Sequence, residues 1–318
     1  MRVADPCPHL PRKRFLISDP HHTDPVEAGL DGHPLGLAEL LRVSARRLAA
    51  AGVPDPQVDA ELLIASVLDV SRGRLHALAI LNGPCPDQLI DRVEPLIVRR
   101  ENREPLQHIT GTAPFRGLTL RVGPGVFIPR PETESVVQFA IDALRSVPTA
   151  RPLGVDLGTG SGAIALAMAT EVPTAHIVAV EKSPEAHRWA SANFAAVAAT
   201  NAELIRGDLA TAVGHLAGQV NVLVSNPPYI PAAAIPRDLE VRLYDPEMAL
   251  YGGVDGLDVV REISRLGRTL VVPGGVLVLE HAEMQGAAIR ELLRADGWRS
   301  PETHHDLTAR DRTTTATR

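Results

Sequence analysis

Apolar residues recur at the spacing of α-helices from Leu35 onward. A first helix ends at Gly52, since glycine is the residue that most often terminates a helix. Asp55-Pro56 then opens the next helix, because Asp is favoured at the N-cap and Pro at the first helical position. A short segment follows over residues 72–81, and another helix is predicted over residues 86–103. This pattern predicts a small helical domain over residues 34–104, with a packing or substrate-docking role.

The pattern changes after residue 104. Over residues 105–130, β-branched residues alternate with polar ones in short segments that Gly and Pro separate. This pattern predicts a β-hairpin linker. From residue 131 to 318, strands and helices alternate, which favours an α/β fold with a mostly parallel sheet covered by helices on both faces. The predicted strands are 153–155, 176–180, 202–205, 220–224 and 276–280, with two closing strands after Trp298, and the predicted helices lie near 131–144, 162–170, 184–199, 256–270 and 284–295.

Composition and charge narrow the class of protein. The chain has 318 residues, 45% hydrophobic and 22% charged, which suits a globular protein of two domains. The net charge of −6 argues against a broad nucleic-acid surface. Two distant cysteines exclude a disulfide scaffold and a Cys-based zinc site, and we predict no metal. Since no apolar run approaches the ~20 residues of a membrane span, we expect a cytoplasmic protein. Residues 1–33 are predicted to be a disordered extension.

The chemistry is expected where the strand 220–224 ends, at the stretch Asn226-Pro227-Pro228-Tyr229. The carboxyl ends of the strands are where ligands bind in an open α/β sheet. The Asn226 amide, the Pro227 carbonyl and the Tyr229 ring are therefore presented together. Such a set suits a planar –NH2 group, whose two hydrogens need two acceptors. An ordinary proline-rich turn is the alternative interpretation.

A glycine-rich loop follows the first predicted strand. We predict that Asp156, Gly158, Thr159, Gly160, Ser161 and Gly162 bind a cofactor, because glycines let the backbone bend sharply and approach a ligand at a helix N-terminus. The spacing also satisfies the weak dinucleotide pattern of NAD proteins. S-adenosylmethionine is favoured because Asp156 ends the strand and because Asn-Pro-Pro-Tyr has no role in hydride transfer.

Acidic residues follow the next two strands. Glu181 is predicted to hold ribose hydroxyls, a position that both classes of cofactor use. Asp208 and Leu209 are predicted to lie beside an adenine, with Asp208 as an acceptor for its amino group. A helix cap is the open alternative for Asp208. Residues 128–134 likewise have two interpretations, as a plain helix start or as a lid edge over a ligand.

The sequence resembles the HemK/PrmC family, the protein-(glutamine-N5) methyltransferases of peptide-chain release factors. The resemblance extends over about residues 35–318 and is carried by the segments 103–111, 128–134, 156–162, 226–229, 279–281 and 306–312. Asn-Pro-Pro-Tyr alone is shared with other N-methyltransferases, including those of DNA and RNA. The segments 103–111 and 128–134 are more specific. Two residues depart from the family pattern: Glu181 stands where Asp is common, and His108 where Tyr is common.

The resemblance implies a class I S-adenosylmethionine-dependent methyltransferase, with a Rossmann-like seven-stranded sheet and a small helical N-terminal domain. It also implies the substrate, the glutamine of the Gly-Gly-Gln motif in class 1 release factors. Asn226, Pro227 and Tyr229 would be catalytic: two acceptors fix the amide N–H bonds and the ring packs on the amide plane. Pro228 joins them in binding substrate, and Asn226 also borders the cofactor.

Three other functions are compatible with the sequence. A ribosomal-protein glutamine is one alternative substrate, and an adenine amino group in nucleic acid is another, although that class usually needs a basic groove and base flipping. A non-enzymatic nucleotide-binding or adaptor protein is the third. We expect release factors as partners, no stable nucleic-acid or membrane partner, and a monomer.

Overall fold

The structure is a computed structural model that describes residues 36–81, 85 and 87–318. The extension predicted over residues 1–33 lies outside the described residues. The fold class is confirmed: a helical N-terminal region precedes a mostly parallel seven-stranded sheet with helices on both faces. The proposed domain boundaries stay predictions.

The N-terminal helices pack around their own apolar cluster, which includes Leu48, Leu63 and Ile97. Ser71 caps the third of them by accepting a hydrogen bond from the Arg74 backbone N–H. The five helices are α1 Leu37–Ala50, α2 Pro56–Leu68, α3 Arg72–Ile80, α4 Asp87–Glu101 and α5 Leu106–Thr110.

The helix α5 corrects the sequence prediction, which extended the hairpin linker from residue 105. The helix begins after Pro105 and ends at Gly111, whose φ of 75° is the left-handed geometry that glycine tolerates. The β-branched residues Ile109 and Thr110 suggested a strand, but burial of Ile109 in the helical cluster prevails. His108 on this helix is also buried, and burial lowers its pKa.

The hairpin itself is short. Strand β1 (Thr112–Phe115) pairs antiparallel with β2 (Leu118–Arg121). Its inward residues Phe115 and Leu120 join the core formed by the helices next to the large sheet. The hairpin therefore anchors the N-terminal helices to the rest of the molecule.

The large sheet has the order β5-β4-β3-β6-β7-β9-β8. The first five of these strands run parallel, and β9 and β8 close the sheet as an antiparallel pair, as predicted. The order reverses between β3 and β6, which is the switch point where ligands bind in such sheets. The strands are β3 Leu153–Leu157, β4 His176–Glu181, β5 Ala202–Arg206, β6 Val220–Ser225, β7 Val271–Glu280, β8 Arg299–His305 and β9 Asp311–Thr317.

Side chains of successive strand residues enter two separate cores. Val222 and Val224 of β6 pack in one core and Leu223 in the other, as expected for a strand covered on both faces. The covering and connecting helices are α6 Thr133–Ser146, α7 Ala163–Glu171, α8 Pro184–Val197, α9 Leu209–Ala212, α10 Leu239–Tyr244, α11 Glu247–Leu250, α12 Asp258–Leu270 and α13 Gly286–Ala295.

Two further differences from the sequence prediction concern lengths. Strand β7 begins at Val271, five residues before the predicted start, and the short helices α9, α10 and α11 were not predicted. None of the helices in the described ranges has the length and apolar character needed to cross a bilayer.

Candidate active site

A cavity of about 800 Å3 opens at the carboxyl edge of the sheet, at the switch point between β3 and β6. Its wall combines the glycine-rich loop after β3, the end of β4, the segment before α6 and the segment after β6. Residues 236–250, including α10 and α11, form the rim.

The glycine-rich loop is fixed from behind. Backbone N–H groups of Gly158 and Thr159 both donate to the Val180 carbonyl, at 2.9 and 3.0 Å. Gly158 and Gly160 have φ of 72° and 59°, and a Cβ at either position would meet no other atom within 4 Å. Glycine is therefore required there by backbone conformation, and the space beside the loop belongs to the cavity.

Asp156 supports this loop and does not line the cavity. Its Oδ2 accepts hydrogen bonds from Thr159 Oγ1 at 2.6 Å and from the Ala165 N–H at 3.2 Å. Complete burial raises the pKa of this carboxyl to about 7, although both hydrogen bonds favour the ionised form. The carboxyl ties the loop to the first turn of α7.

Glu181 lines the cavity at the end of β4. Its two oxygens accept hydrogen bonds from the backbone N–H groups of Gly160 at 2.8 Å and Ser183 at 2.7 Å. Burial raises its pKa, and these backbone donors oppose the shift. Each carboxylate oxygen has a second lone pair, so Glu181 still has acceptor capacity for a ligand.

Asp208 caps the helix α9, which is the alternative interpretation given for it above. Its carboxylate accepts a hydrogen bond from the Ala210 N–H at 2.9 Å. It also pairs with Lys182 at 2.8 Å, and this contact is the main cause of its lowered pKa. Asp208 and Leu209 both line the cavity, so capping leaves a role beside a ligand open.

The Asn-Pro-Pro-Tyr segment is anchored on both sides. Ser225 Oγ donates to the Leu157 carbonyl at 2.6 Å, joining the end of β6 to the end of β3. Beyond the segment, Gln285 Nε2 donates to the Tyr229 carbonyl at 2.9 Å, and the Ile230 N–H donates to Leu250 at 2.8 Å. The loop is thus held by its neighbours and is more than a proline-rich turn.

The Asn226 side chain contacts the start of α6. Its Nδ2 donates to Thr133 Oγ1 at 3.5 Å, at the start of α6. In the described part of the chain, no donor bonds to Asn226 Oδ1 or to the Pro227 carbonyl. Asn226, Pro228 and Tyr229 line the cavity, whereas Pro227, between them in the chain, is buried and is not one of the lining residues.

The structure brings most of the predicted residues to one cavity. Asp156, Gly162 and Pro227 are the predicted residues that do not line it. Those that do are Gly158, Thr159, Gly160, Ser161, Glu181, Asp208, Leu209, Asn226, Pro228 and Tyr229.

Several lining residues were missed by the sequence prediction. Arg130 lies over the Phe127 ring at 5.0 Å and bonds Asp245 at 2.7 Å, and burial raises the pKa of Asp245 to about 6. Because residues 129, 130, 132 and 133 all line the cavity, the segment before α6 forms part of its wall, which favours the lid-edge interpretation. An acidic cap, Asp238, was the available signal for α10.

Arg312 enters the cavity wall from β9. Its guanidinium donates to Asp306 Oδ2 at 3.3 Å and to the His281 carbonyl at 3.2 Å, and it is largely buried. Nearby Tyr229 has a raised pKa because of burial, with Glu280 adding to the shift and Arg312 opposing it. The phenol is therefore neutral at physiological pH.

Residues 39–111 match the PrmC N-terminal domain and residues 118–244 match the methyltransferase small domain. A protein of Streptomyces coelicolor named release factor glutamine methyltransferase is 48% identical over 286 residues, covering 88% of this chain and 97% of that protein. The chain belongs to the release factor glutamine methyltransferase family.

One further relative is named for a different acceptor, and one solved structure shares the fold. A Streptomyces pristinaespiralis protein named 4-amino-L-phenylalanine/4-methylamino-L-phenylalanine methyltransferase is 38% identical over 266 residues, covering 82% of this chain and 88% of that protein. The hMettl16 catalytic domain, solved with an RNA hairpin, has a TM-score of 0.51 at 14% identity and covers 73% of this chain and 82% of that chain. It shares the fold.

Methyltransferases of this family use S-adenosylmethionine, and the residues present fit it. Open space beside Gly158 and Gly160 lets a ligand approach the backbone, and Glu181 offers acceptors for vicinal hydroxyls. Asp208 and Leu209 line the same cavity. The predicted cofactor therefore has a suitable set of donors and acceptors in this chain.

Proposed function

We propose that this methyltransferase transfers the methyl group of S-adenosylmethionine to the side-chain amide nitrogen (N5) of the glutamine in the Gly-Gly-Gln motif of class 1 release factors. The observation that carries the proposal is Asn226, whose oxygen accepts no hydrogen bond from any described residue and which borders the same cavity as Glu181 and the glycine loop. An unused acceptor in that place suits an N–H group of the substrate.

The residues address the main difficulty of the reaction, the weak nucleophilicity of an amide nitrogen. When bound, S-adenosylmethionine supplies an electrophilic methyl group. Asn226 Oδ1 accepts one N–H of the glutamine, and the Pro227 carbonyl is proposed as the acceptor for the other. With both hydrogens fixed, the nitrogen lone pair is directed at the reacting carbon. Such alignment lowers the barrier by several kcal/mol, on the order of the gain from fixed reactant geometry.

Substrate shape follows from the wall of the cavity. Pro228 and Tyr229 supply a flat apolar surface for the glutamine amide. Arg130 lines the same cavity and is held there by Asp245, which precedes α11. A glutamine preceded by two glycines fits a narrow opening, because its neighbours have no side chains.

The N-terminal helices are proposed to dock the protein substrate. Arg100 of α4 and Arg103, just after α4, both contact Glu240 on α10, at 2.8 and 3.0 Å. Tyr244 of α10 donates to the Asn102 carbonyl at 2.9 Å. Since Val241 of α10 lines the cavity, the helical region is coupled to the rim. We propose that the enzyme works as a cytoplasmic monomer without a stable nucleic-acid partner.

The deciding experiment uses purified protein with labelled S-adenosylmethionine and a class 1 release factor. We expect label on the Gly-Gly-Gln glutamine, located by peptide mass spectrometry, and none in a release factor whose glutamine is replaced by Ala. Parallel reactions contain ribosomal protein, DNA, RNA and free 4-aminophenylalanine. The last arm tests a second candidate, an aromatic amine acceptor, which the Streptomyces pristinaespiralis relative favours. Label only in one of these arms would reassign the substrate.

A further inference from the structure

Neighbouring strands place an acidic residue beside Asn226. Strands β6 and β7 are parallel with Ser225 opposite Leu279, so Asn226 and Glu280 each lie one residue further along. Both continue the face that carries Val224 and Val278, which packs against α6. Adjacent strands are about 4.8 Å apart, so the two side chains are neighbours.

Glu280 is buried in an unusual way. Glu280 is 1% exposed, and neither of its carboxylate oxygens has a hydrogen-bond partner within the described residues. Burial raises its pKa to about 7, while nearby Thr133, Arg312 and Asn226 favour the ionised form and Glu132 disfavours it. It does not line the cavity. A buried carboxyl without a partner is costly, so a function for it is expected.

The Thr133 hydroxyl and the Asn226 amide lie beside this carboxyl and both favour its ionised form. An amide –NH2 group has two hydrogens, and Thr133 Oγ1 accepts one of them over a long 3.5 Å. A second acceptor on the inner side would hold the –NH2 end there and leave the oxygen pointing at the cavity. A reversed amide would instead present its own hydrogens to the N–H groups of the substrate, and no bond would form.

We propose that Glu280, together with Thr133, is a positioning residue that holds the Asn226 side chain with its oxygen toward the substrate amide. This inference rests on the proposed function of Asn226. Glu280 does not touch the substrate and acts through Asn226 alone. Removing it should therefore affect the rate of methyl transfer in enzyme that contains Asn226 and should have little effect in enzyme that lacks it.

A double-mutant cycle tests this prediction with four proteins: wild type, Glu280→Ala, Asn226→Ala and the double variant. We expect Glu280→Ala to lower kcat about tenfold or more, with KM for the release factor and Kd for S-adenosylmethionine within about threefold. In the Asn226→Ala background the same change should alter kcat by less than about twofold. Equal losses in both backgrounds would overturn the inference and indicate a purely structural role.

Conservative variants protect the test against misfolding. Glu280→Gln has the same size and keeps an oxygen that accepts from Asn226 Nδ2, so it should recover most of the kcat that Glu280→Ala loses. Thr133→Val should lower kcat in the same direction. Thr170→Val is its matched control, because that hydroxyl donates to the Leu166 carbonyl inside α7, away from the cavity. Normal kcat in folded Glu280→Ala would refute the proposal, whereas an inactive wild type would refute the proposed function.

Discussion

The two halves of the cavity differ in how their polar groups are satisfied. In the half assigned to the cofactor, both oxygens of Glu181 accept backbone hydrogen bonds, and Asp208 is paired with Lys182 and caps α9. In the half assigned to the substrate, the Asn226 oxygen has no bonded donor among the described residues. The acidic side chains of the cofactor half are held in place by bonds within the protein, and the substrate half has in Asn226 an acceptor for an incoming amide.

This difference separates affinity from rate. A preformed half binds its ligand without reorganisation, so its residues should mainly determine binding affinity. A half with open acceptors forms its hydrogen bonds with the reacting group, so its residues should mainly determine kcat. Substitutions in the two halves should therefore give opposite kinetic signatures.

The largest effect is expected for Asn226→Ala. Loss of the acceptor that orients the amide should lower kcat by on the order of 100-fold or more, as for other single preorganised contacts to a reacting group. Cofactor affinity should stay within about threefold, since Glu181 and the loop are intact. Steady-state kinetics and calorimetry on the same preparation measure both quantities.

Asn226→Asp sharpens the result. The carboxylate still accepts N–H bonds, so this variant should be impaired less than Asn226→Ala while binding the cofactor normally or more tightly, because its charge lies near a sulfonium. Full activity of the Ala variant with normal melting would mean that Asn226 only shapes the turn. The main observation that assigns this half of the cavity to the substrate would then be removed.

Glu181→Ala should give the opposite signature. We expect S-adenosylmethionine to bind about 1–3 kcal/mol more weakly through the loss of one or two hydrogen bonds, with a smaller change in kcat at saturating cofactor. Glu181→Asp is the matched control, since it keeps a carboxylate at the position. Calorimetry showing unchanged affinity in the Ala variant, or tight binding of NAD by the wild type, would remove the cofactor assignment of this half.

The same contrast explains what the sequence could predict. Gly158, Gly160 and Glu181 follow strands that the apolar pattern identifies, so their place at the carboxyl edge follows from the fold class. Asn226 could be found in the same way. These residues act through local backbone geometry, which spacing along the chain encodes.

The residues that were missed depend on distant pairing. Glu280 and Arg312 meet the site only through the register of β6, β7 and β9. Helices α10 and α11 have six and four residues, which is too short to show a helical period. Asp156 was assigned to the cofactor because it ends a strand, yet its hydrogen bonds support the loop. Register and side-chain direction at loop ends are not encoded in composition or period.

A smaller effect is expected for Asp245→Asn, next to the cavity-lining residue Arg130. Burial raises the pKa of Asp245 from 3.8 in its ordinary state to about 6, despite the contact with Arg130. Between these two pKa values the folded protein holds a proton that the unfolded chain has released. Ionising Asp245 therefore lowers the free energy of unfolding: the loss is absent below about pH 4 and fully present above about pH 6. Wild-type stability should thus fall by about 1–3 kcal/mol relative to the variant across this range.

Denaturant unfolding of both proteins at several pH values measures that difference, in which the contributions of all other groups cancel. A difference between the two free energies of unfolding that does not change between pH 4 and pH 6 would show that the Arg130 contact fully compensates burial. The Asp245 carboxylate would then be as well stabilised by its partner as Glu181 and Asp208 are by theirs.

The smallest effect is expected at the coupling between α4 and α10. Glu240→Gln removes the charge that Arg100 and Arg103 share, but Arg100 keeps its contact with Asp59 at 2.7 Å, so the helices should stay folded. We expect KM for the release factor to rise about two- to fivefold, because the rim is held less firmly against the helices, while kcat and cofactor affinity stay unchanged.

Glu94→Gln is the matched control, since Glu94 pairs with Arg47 at 2.6 Å within the N-terminal helices and has no contact with α10 among the described ion pairs. A free dipeptide-sized glutamine substrate would separate the two causes, because it cannot reach the helices. If Glu240→Gln raises KM for the release factor and leaves KM for the short substrate unchanged, the N-terminal helices contribute to docking. Equal changes for both would instead assign Glu240 to the cavity itself, and the open half would then extend to α10.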